Sequence, residues 1–361
     1  MIELNKIYNE NCLDTMSRMP DNSIDCCVTS PPYYGLRDYG HKDQIGLEET
    51  PELYVQKLVE VFRDVKRVLK KDGTLWLNLG DSYAASGGKQ VEQTVRGQNN
   101  YVNAGQSGGN RSVKNNPPGI KQKDLLGIPW MVAFALRADG WYLRQDIIWS
   151  KPNPMPESVT DRCTKSHEYI FLLSKSARYY YDQNAIKQPV ADASILRLSQ
   201  QIDKQKGSER VPGKTNGTMK TVGPGRKPRP DDNRGGNQGT GRGIPAMAID
   251  GNGVTGHSGY FDSCGNLIGE GMANKRSVWE VPTMPFKEAH FATFPEDLII
   301  PCIKAGCPQK GIVLDPFMGA GTTALVSLKL DRKYIGCELN AEYCKIAEKR
   351  MLPYKLQQKL F

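Results

Sequence analysis

Apolar positions along this chain fall into two kinds of block. Short runs rich in β-branched and aromatic residues, at positions 24–29, 74–79, 141–149 and 168–174, have the length and content of strands. Longer stretches at 51–69, 128–136 and 296–305 read as helices. Lys71-Asp72-Gly73 follows the first of these as a basic, glycine-containing turn, the form in which a helix C-terminus commonly closes. Towards the far end, residues 311–315 read as a strand, Gly319 and Gly321 as a turn, the next residues as a helix, and 333–337 as another strand. Strands alternating with helices give the rhythm of a doubly wound α/β sheet.

Two polar, glycine-rich, net basic segments interrupt that rhythm. In 84–120, Gly87-Gly88, Asn99-Asn100 and Gly108-Gly109 lie among Arg96, Arg111 and Lys114, with Lys121 just beyond, against the single acid Glu92. In 191–275, eight Lys or Arg residues fall between Lys204 and Arg229 and face only Glu209, among Gly, Pro, Thr and Ser. Such a composition cannot build a core. The chain therefore divides into residues 1–190, with the polar insertion 84–120, then a long insertion 191–275, then 276–361.

Composition narrows the class. A length of 361 residues suggests about two domains at ~150 residues each. Nine cysteines, at 12, 26, 27, 163, 264, 302, 307, 337 and 344, are scattered through apolar segments without framework spacing, as free thiols in a reducing cytoplasm would be. No apolar run reaches transmembrane length and Met1–Lys6 lacks a signal-peptide pattern, so the expectation is a soluble, cytoplasmic protein with no membrane partner. The net charge of +9 favours a polyanionic partner, and the Lys204–Arg229 run suits an arm that grips phosphates.

Candidate chemistry concentrates at two places. Residues 25–29 end in Ser30-Pro31-Pro32-Tyr33. Proline fixes its own φ and drives the preceding residue extended, so Ser30 and Pro31 are both held open. The Ser30 hydroxyl and the Pro31 carbonyl can then accept the two hydrogens of an exocyclic amine, while Tyr33 offers a face to a flipped-out base. In the second place, Gly319 and Gly321 permit positive φ and close backbone approach, and the helix after them presents free N–H groups to an anion. Glu338 ends the next strand about 20 positions on, as a ribose-binding acid does.

Joined together, these segments resemble the DNA amino-methyltransferases that use S-adenosylmethionine, in the permuted arrangement with the tetrapeptide ahead of the cofactor loop. The resemblance covers roughly residues 1–82, 121–190 and 277–361. It implies a Rossmann-like methyltransferase sheet that carries a target-recognition region in 191–275. It implies Ser30, Pro31, Pro32 and Tyr33 as catalytic residues. It places Asn11, Cys12, Phe294, Asp315, Phe317, Gly319, Gly321, Thr322, Thr323 and Glu338 around the cofactor, with Pro295 and Glu296 beside Phe294. Asn11 stands where the family usually has aspartate. Serine at the head of the tetrapeptide goes mostly with cytosine N4 as target, and adenine N6 is the alternative. Double-stranded DNA is the implied partner; a cognate restriction endonuclease, and a monomer or a homodimer, are all compatible with it. The implied setting is bacterial, archaeal or phage-encoded.

Other readings are weaker. Carbon-5 methylation of cytosine uses a cysteine after proline, and Pro301-Cys302 has that form, but it precedes the cofactor strand in an apolar stretch and reads as a packed thiol. Cys302 and Cys307 make a poor zinc pair, and no metal is expected. Asp81, Ser82 and Tyr83 either border the substrate pocket or form a turn, and the same choice holds for Lys151-Pro152-Asn153-Pro154 as a rim beside the base. His167 and Glu168, at a strand start, read as structural. A catalytically silent DNA-binding module on the same fold is the alternative from a different class.

Overall fold

A computed structural model describes residues 2–36, 41–84, 119–190, 272–284 and 293–358. The chain falls into two units, residues 1–186 together with 276–361, and residues 187–275. In the second unit the described residues form a short antiparallel pair, β6 (Gln188–Pro189) with β7 (Met272–Ala273).

The first unit is built on a sheet of β1 (Lys6–Tyr8), β2 (Ile24–Thr29), β3 (Leu69–Leu79), β4 (Tyr142–Ser150), β5 (His167–Ser174), β8 (Val278–Glu280), β9 (Ile312–Asp315) and β10 (Lys333–Cys337), ordered β1-β10-β9-β2-β3-β5-β4-β8. From β1 to β3 the strands run parallel. β5 enters antiparallel to both β3 and β4.

Helices on both faces explain why β2, Ile-Asp-Cys-Cys-Val-Thr, is buried at every position and lacks simple alternation. On one face α1 (Cys12–Ser17), α2 (Pro51–Val68) and α3 (Ile128–Ala138) cover Cys27, Leu75, Leu77 and Phe171. On the other, α4 (Glu296–Gly306) and Val326 of α5 (Thr322–Lys329) cover Cys26, Val28, Trp76 and Val313. The period of two in β2 and β3 sorts neighbouring residues to opposite cores. α2 starts on Thr50, whose side chain accepts from the Leu53 N–H at 3.3 Å, with Pro51 in the first turn, and it buries Tyr54, Leu58, Phe62 and Val65 along one stripe. Removing one such side chain, as in Leu58→Ala, would cost roughly 2–5 kcal/mol.

One expected turn is absent. α2 does not close in Lys71-Asp72-Gly73; it ends at Val68, and Leu69 is already extended at φ −63°, ψ 142°. Lys71–Gly73 belong to β3, because Leu69 pairs with Ile24 and Thr74 with Cys26, so the extra residues are taken up as an irregularity of that strand. Lys66 and Arg67 are the basic residues of the last helical turn. Among the described residues no helix is long and apolar enough to cross a membrane.

Candidate active site

The order of the sheet places the carboxyl ends of β2 and β9 side by side, with Cys26 opposite Val313 and Cys27 opposite Leu314. This is where chain order reverses, the place at which open α/β sheets bind ligands. Ser30 leaves one strand and Pro316 leaves the other. The Thr29 hydroxyl donates to Asp315 Oδ1 at 2.6 Å across 286 residues of sequence. The Thr323 hydroxyl donates to Asp315 Oδ2 at 2.6 Å, and the Phe317 N–H to Oδ1 at 3.0 Å. Burial pushes the Asp315 carboxyl up to about 6 against the pull of those donors. Asp315 and Thr323 thus join the two expected motifs to each other, and their polar atoms are occupied in doing so.

At the tetrapeptide, Pro31 is buried while Ser30 and Tyr33 are partly exposed. The Pro32 carbonyl accepts from the Tyr54 hydroxyl of α2 at 2.8 Å. The Pro31 carbonyl accepts no hydrogen bond among the described residues, so it remains an acceptor for a ligand. The Ser30 hydroxyl lies 3.5 Å from that of Tyr33, which donates to Glu168 Oε2 at 2.6 Å. Burial first, and then the charge of Glu168, push the Tyr33 phenol well above its ordinary value, so it stays protonated. Gly80 backs the ring: a Cβ there would lie 2.6 Å from Tyr33 Cε2. Any side chain at 80 would displace the aromatic plate.

Around the glycine turn, Gly319 and Gly321 have φ +52° and +80°, the left-handed region in which glycine is unstrained. A Cβ on Gly319 would meet nothing within 4 Å, whereas one on Gly321 would lie 2.6 Å from Ala347 Cβ. Gly321 is therefore a packing glycine, and Gly319 faces open space. Glu338 accepts from the Gly319 N–H at 2.8 Å through Oε2 and from the Asn340 N–H at 2.8 Å through Oε1, and burial raises its carboxyl above the usual range. Each oxygen keeps a second lone pair for a ribose hydroxyl. Arg350 donates to the Ala320 carbonyl at 2.6 Å and to the Thr322 hydroxyl at 3.2 Å, which steadies the loop from α6 (Ala341–Gln358). The open cradle at Gly319, the N-terminus of α5 without a side-chain cap and the Glu338 carboxylate together fit an adenosine-bearing cofactor.

The remaining expected contacts are more mixed. Asn11 caps α1, its Oδ1 accepting from the Leu13 N–H at 2.9 Å. The Cys12 thiol is buried in the core and its pKa is pushed up to about 12, so only its backbone is available to a ligand. Phe294 and Phe317 are half-buried against the two cores. Glu296 pairs with Lys329 at 2.6 Å. Asp81 turns out to cap α3 from a distance, accepting from the Ile128 N–H at 3.0 Å and the Gly127 N–H at 3.1 Å. Cys302 is a packed thiol in α4, 1% exposed, and no cluster of three or more metal-ligating side chains occurs among the described residues. Most of 84–120 and nearly all of 191–275 lie outside the described residues.

Glu168, which reads as structural from the sequence, is placed by the fold at the tetrapeptide. Because β5 is antiparallel, its first residues lie at the carboxyl edge of β3, Tyr169 opposite Leu79, and Glu168 reaches Tyr33. β4 ends at the same edge, so Lys151 reaches the other carboxylate oxygen of Glu168. Asn153 of the same proline-rich turn is bonded to Thr283 in both directions, accepting at 2.9 Å and donating at 3.1 Å. Nothing in local spacing marks Gly80, Tyr54 or Asn78 in the sequence.

A model of the N6/N4 methyltransferase family, described as DNA methylase, matches residues 24–349. The Type II methyltransferase M.SmaI of Serratia marcescens is 40% identical over 350 residues, covering 96% of this chain and 90% of that protein. M.Cfr9I of Citrobacter freundii, also a Type II methyltransferase, is 38% identical over 355 residues, covering 97% and 89%. Among solved structures, the PvuII DNA methyltransferase, cytosine-N4-specific, has a TM-score of 0.55 at 16% identity and covers 96% of this chain and 85% of that one. A putative DNA modification methylase from Thermus thermophilus, complexed with S-adenosyl-L-methionine, has a TM-score of 0.51 at 18% identity and covers 97% and 93%. The structural likeness is one of fold, and the family rests on the sequence matches: this chain belongs to the N6/N4 DNA methylases.

Proposed function

We propose that this DNA methyltransferase transfers a methyl group from S-adenosylmethionine to the N4 amine of a cytosine flipped out of double-stranded DNA. The observation that carries the reading is the Thr29–Asp315 bond, which holds the Ser30–Tyr33 strand end beside the glycine turn. The bound cofactor supplies a methyl group already activated on a sulfonium. The Ser30 hydroxyl and the Pro31 carbonyl accept the hydrogens of the target amine, draw its lone pair out of the ring and aim it. The face of Tyr33 supports the base and eases the positive charge that develops on nitrogen. No nucleophile from the protein is needed, and proximity with orientation supplies most of the acceleration. Serine at the head of the tetrapeptide is the ground for choosing cytosine.

Residues 191–275 are assigned target recognition by resemblance to the family, whose long insertion carries it. Their Arg, Asn and Gln side chains suit base edges in the major groove, and the Lys204–Arg229 run suits phosphates. The test is mass spectrometry of nucleosides from DNA incubated with the protein and methyl-labelled cofactor. Label in N4-methylcytosine is the expected result. Label in N6-methyladenine overturns the base assignment and keeps the rest, and label in neither base, with cofactor bound, overturns the whole reading.

A further inference from the structure

Tyr33 carries one hydroxyl proton, and two acceptors compete for it. Glu168 Oε2 is 2.6 Å away and Asn78 Oδ1 3.3 Å away. Asn78 turns its oxygen to Tyr33 because its Nδ2 is used elsewhere, donating to Glu168 Oε2 at 3.3 Å and to the Tyr169 carbonyl at 3.1 Å. Neither neighbour can donate to the Tyr33 oxygen, since an ionised carboxylate and an amide oxygen only accept. Among the described residues the donor left for that oxygen is the Ser30 hydroxyl, at 3.5 Å. That separation is at the outer limit of a hydrogen bond, as contacts at unliganded catalytic sites often are.

The direction of every proton in the chain follows. Tyr33 donates to Glu168 and Ser30 donates to Tyr33, so the Ser30 proton is engaged and its oxygen is left to accept. The Lys151 ammonium on Glu168 Oε1 balances the carboxylate charge and lies 4.3 Å from the centre of the Trp149 ring. Both charged side chains are largely buried, 18% and 14% exposed, where an unpaired charge would be costly.

We propose that Glu168 is a positioning residue which, held by Lys151 and Asn78, sets the direction of the Ser30–Tyr33 hydroxyl chain and so presents Ser30 Oγ to the target amine purely as an acceptor. This rests on the reading of Ser30 as the amine's acceptor. Replacing Glu168 by glutamine keeps its size but adds an NH2 group that can donate to Tyr33, which allows the chain to reverse.

The experiment is a double-mutant cycle on the full chain, read as single-turnover methylation rate with cofactor Kd measured separately. Glu168→Gln is expected to lower the rate at least 10-fold with cofactor Kd within about twofold. In a Tyr33→Phe background, where the hydroxyl is missing, the same change is expected to cost less than about threefold. Equal losses in both backgrounds, or a cofactor affinity that falls in step with the rate, overturn the inference. Lys151→Met supplies a second reading if Glu168→Gln fails to fold: the rate drops and Lys151→Arg restores most of it, whereas unchanged rates in both overturn the role of the pair. Ser30→Ala separates the two levels. If it leaves the rate intact, the acceptor reading itself fails; if it abolishes turnover while Glu168→Gln does not, only the present inference fails.

Discussion

The two loops that meet at the carboxyl edge of the sheet are held in opposite ways. The glycine turn is held by its own surroundings in sequence: Phe317 and Thr323 bond Asp315, and the Gly319 N–H bonds Glu338, 19 residues away. The tetrapeptide is held by distant residues: Tyr54 bonds the Pro32 carbonyl, the bare backbone of Gly80 leaves room for the ring, and Glu168, 135 residues on, bonds the hydroxyl. A loop that offers backbone N–H groups to a ligand can be built from one strand–turn–helix unit. An aromatic plate with a directed hydroxyl must be clamped from several strands, because a lone side chain keeps its rotamer freedom.

The largest expected effect separates the two loops functionally. Ser30→Ala should lower the methylation rate by about 100-fold or more with little change in cofactor Kd. Glu338→Ala should weaken cofactor binding first, with the rate at saturating cofactor much less affected. Calorimetric titration of cofactor beside single-turnover kinetics measures both, and collapse of cofactor binding in Ser30→Ala would dissolve the division of roles.

Two glycine substitutions sharpen the contrast at smaller scale. Gly80→Ala puts a methyl group 2.6 Å from Tyr33 Cε2, and a rigid ring must move, so a rate loss of roughly 10- to 100-fold is expected with cofactor binding kept. Gly319→Ala meets no atom within 4 Å but sits at φ +52°, a strain of about 1–2 kcal/mol, and fills the space facing the cofactor. Its loss should appear in cofactor affinity. Equal loss of cofactor affinity in the two variants would contradict the distinction between a clamped plate and an open cradle.

A separate effect, on stability and not on rate, concerns the joint between the loops. Asp315 titrates near 6 in the fold against an ordinary 3.8. Between those values the folded state binds the extra proton, so this group makes stability fall as pH rises from about 4 to about 6, by on the order of 3 kcal/mol in all. Asp315→Asn does not titrate and should lack that slope. Melting temperatures of both proteins from pH 4 to 7 test this, and parallel curves would mean that Asp315 does not carry the shift.

Much of this was legible in the chain. The strand at 24–29, the turn at Gly319 and Gly321, and the acid at Glu338 are local patterns: a strand's apolar run, positive φ at glycine and an offset of about 20 residues repeat wherever that unit is built. Lys71-Asp72-Gly73 looks like a helix terminus, and only the pairing of Leu69 with Ile24 shows that the chain is already in the sheet. The family resemblance places Asn11 at the cofactor, and the fold shows the same side chain capping α1.

Local chemistry in the sequence thus determined the alternating α/β order, the extended Ser30–Pro31 strand end and the positive-φ glycine turn, since each depends on residues within a few positions or one strand–helix unit. The tertiary structure decided the partnership of Thr29 with Asp315 and the placement of Gly80, Lys151 and Glu168. The physical reason is direction. Whether a strand's first or last residue lies at the active edge depends on its running parallel or antiparallel to its neighbours, and that is a property of the assembled sheet. β5 runs antiparallel, and that reversal carries a strand-start glutamate to the carboxyl end of the sheet beside Tyr33.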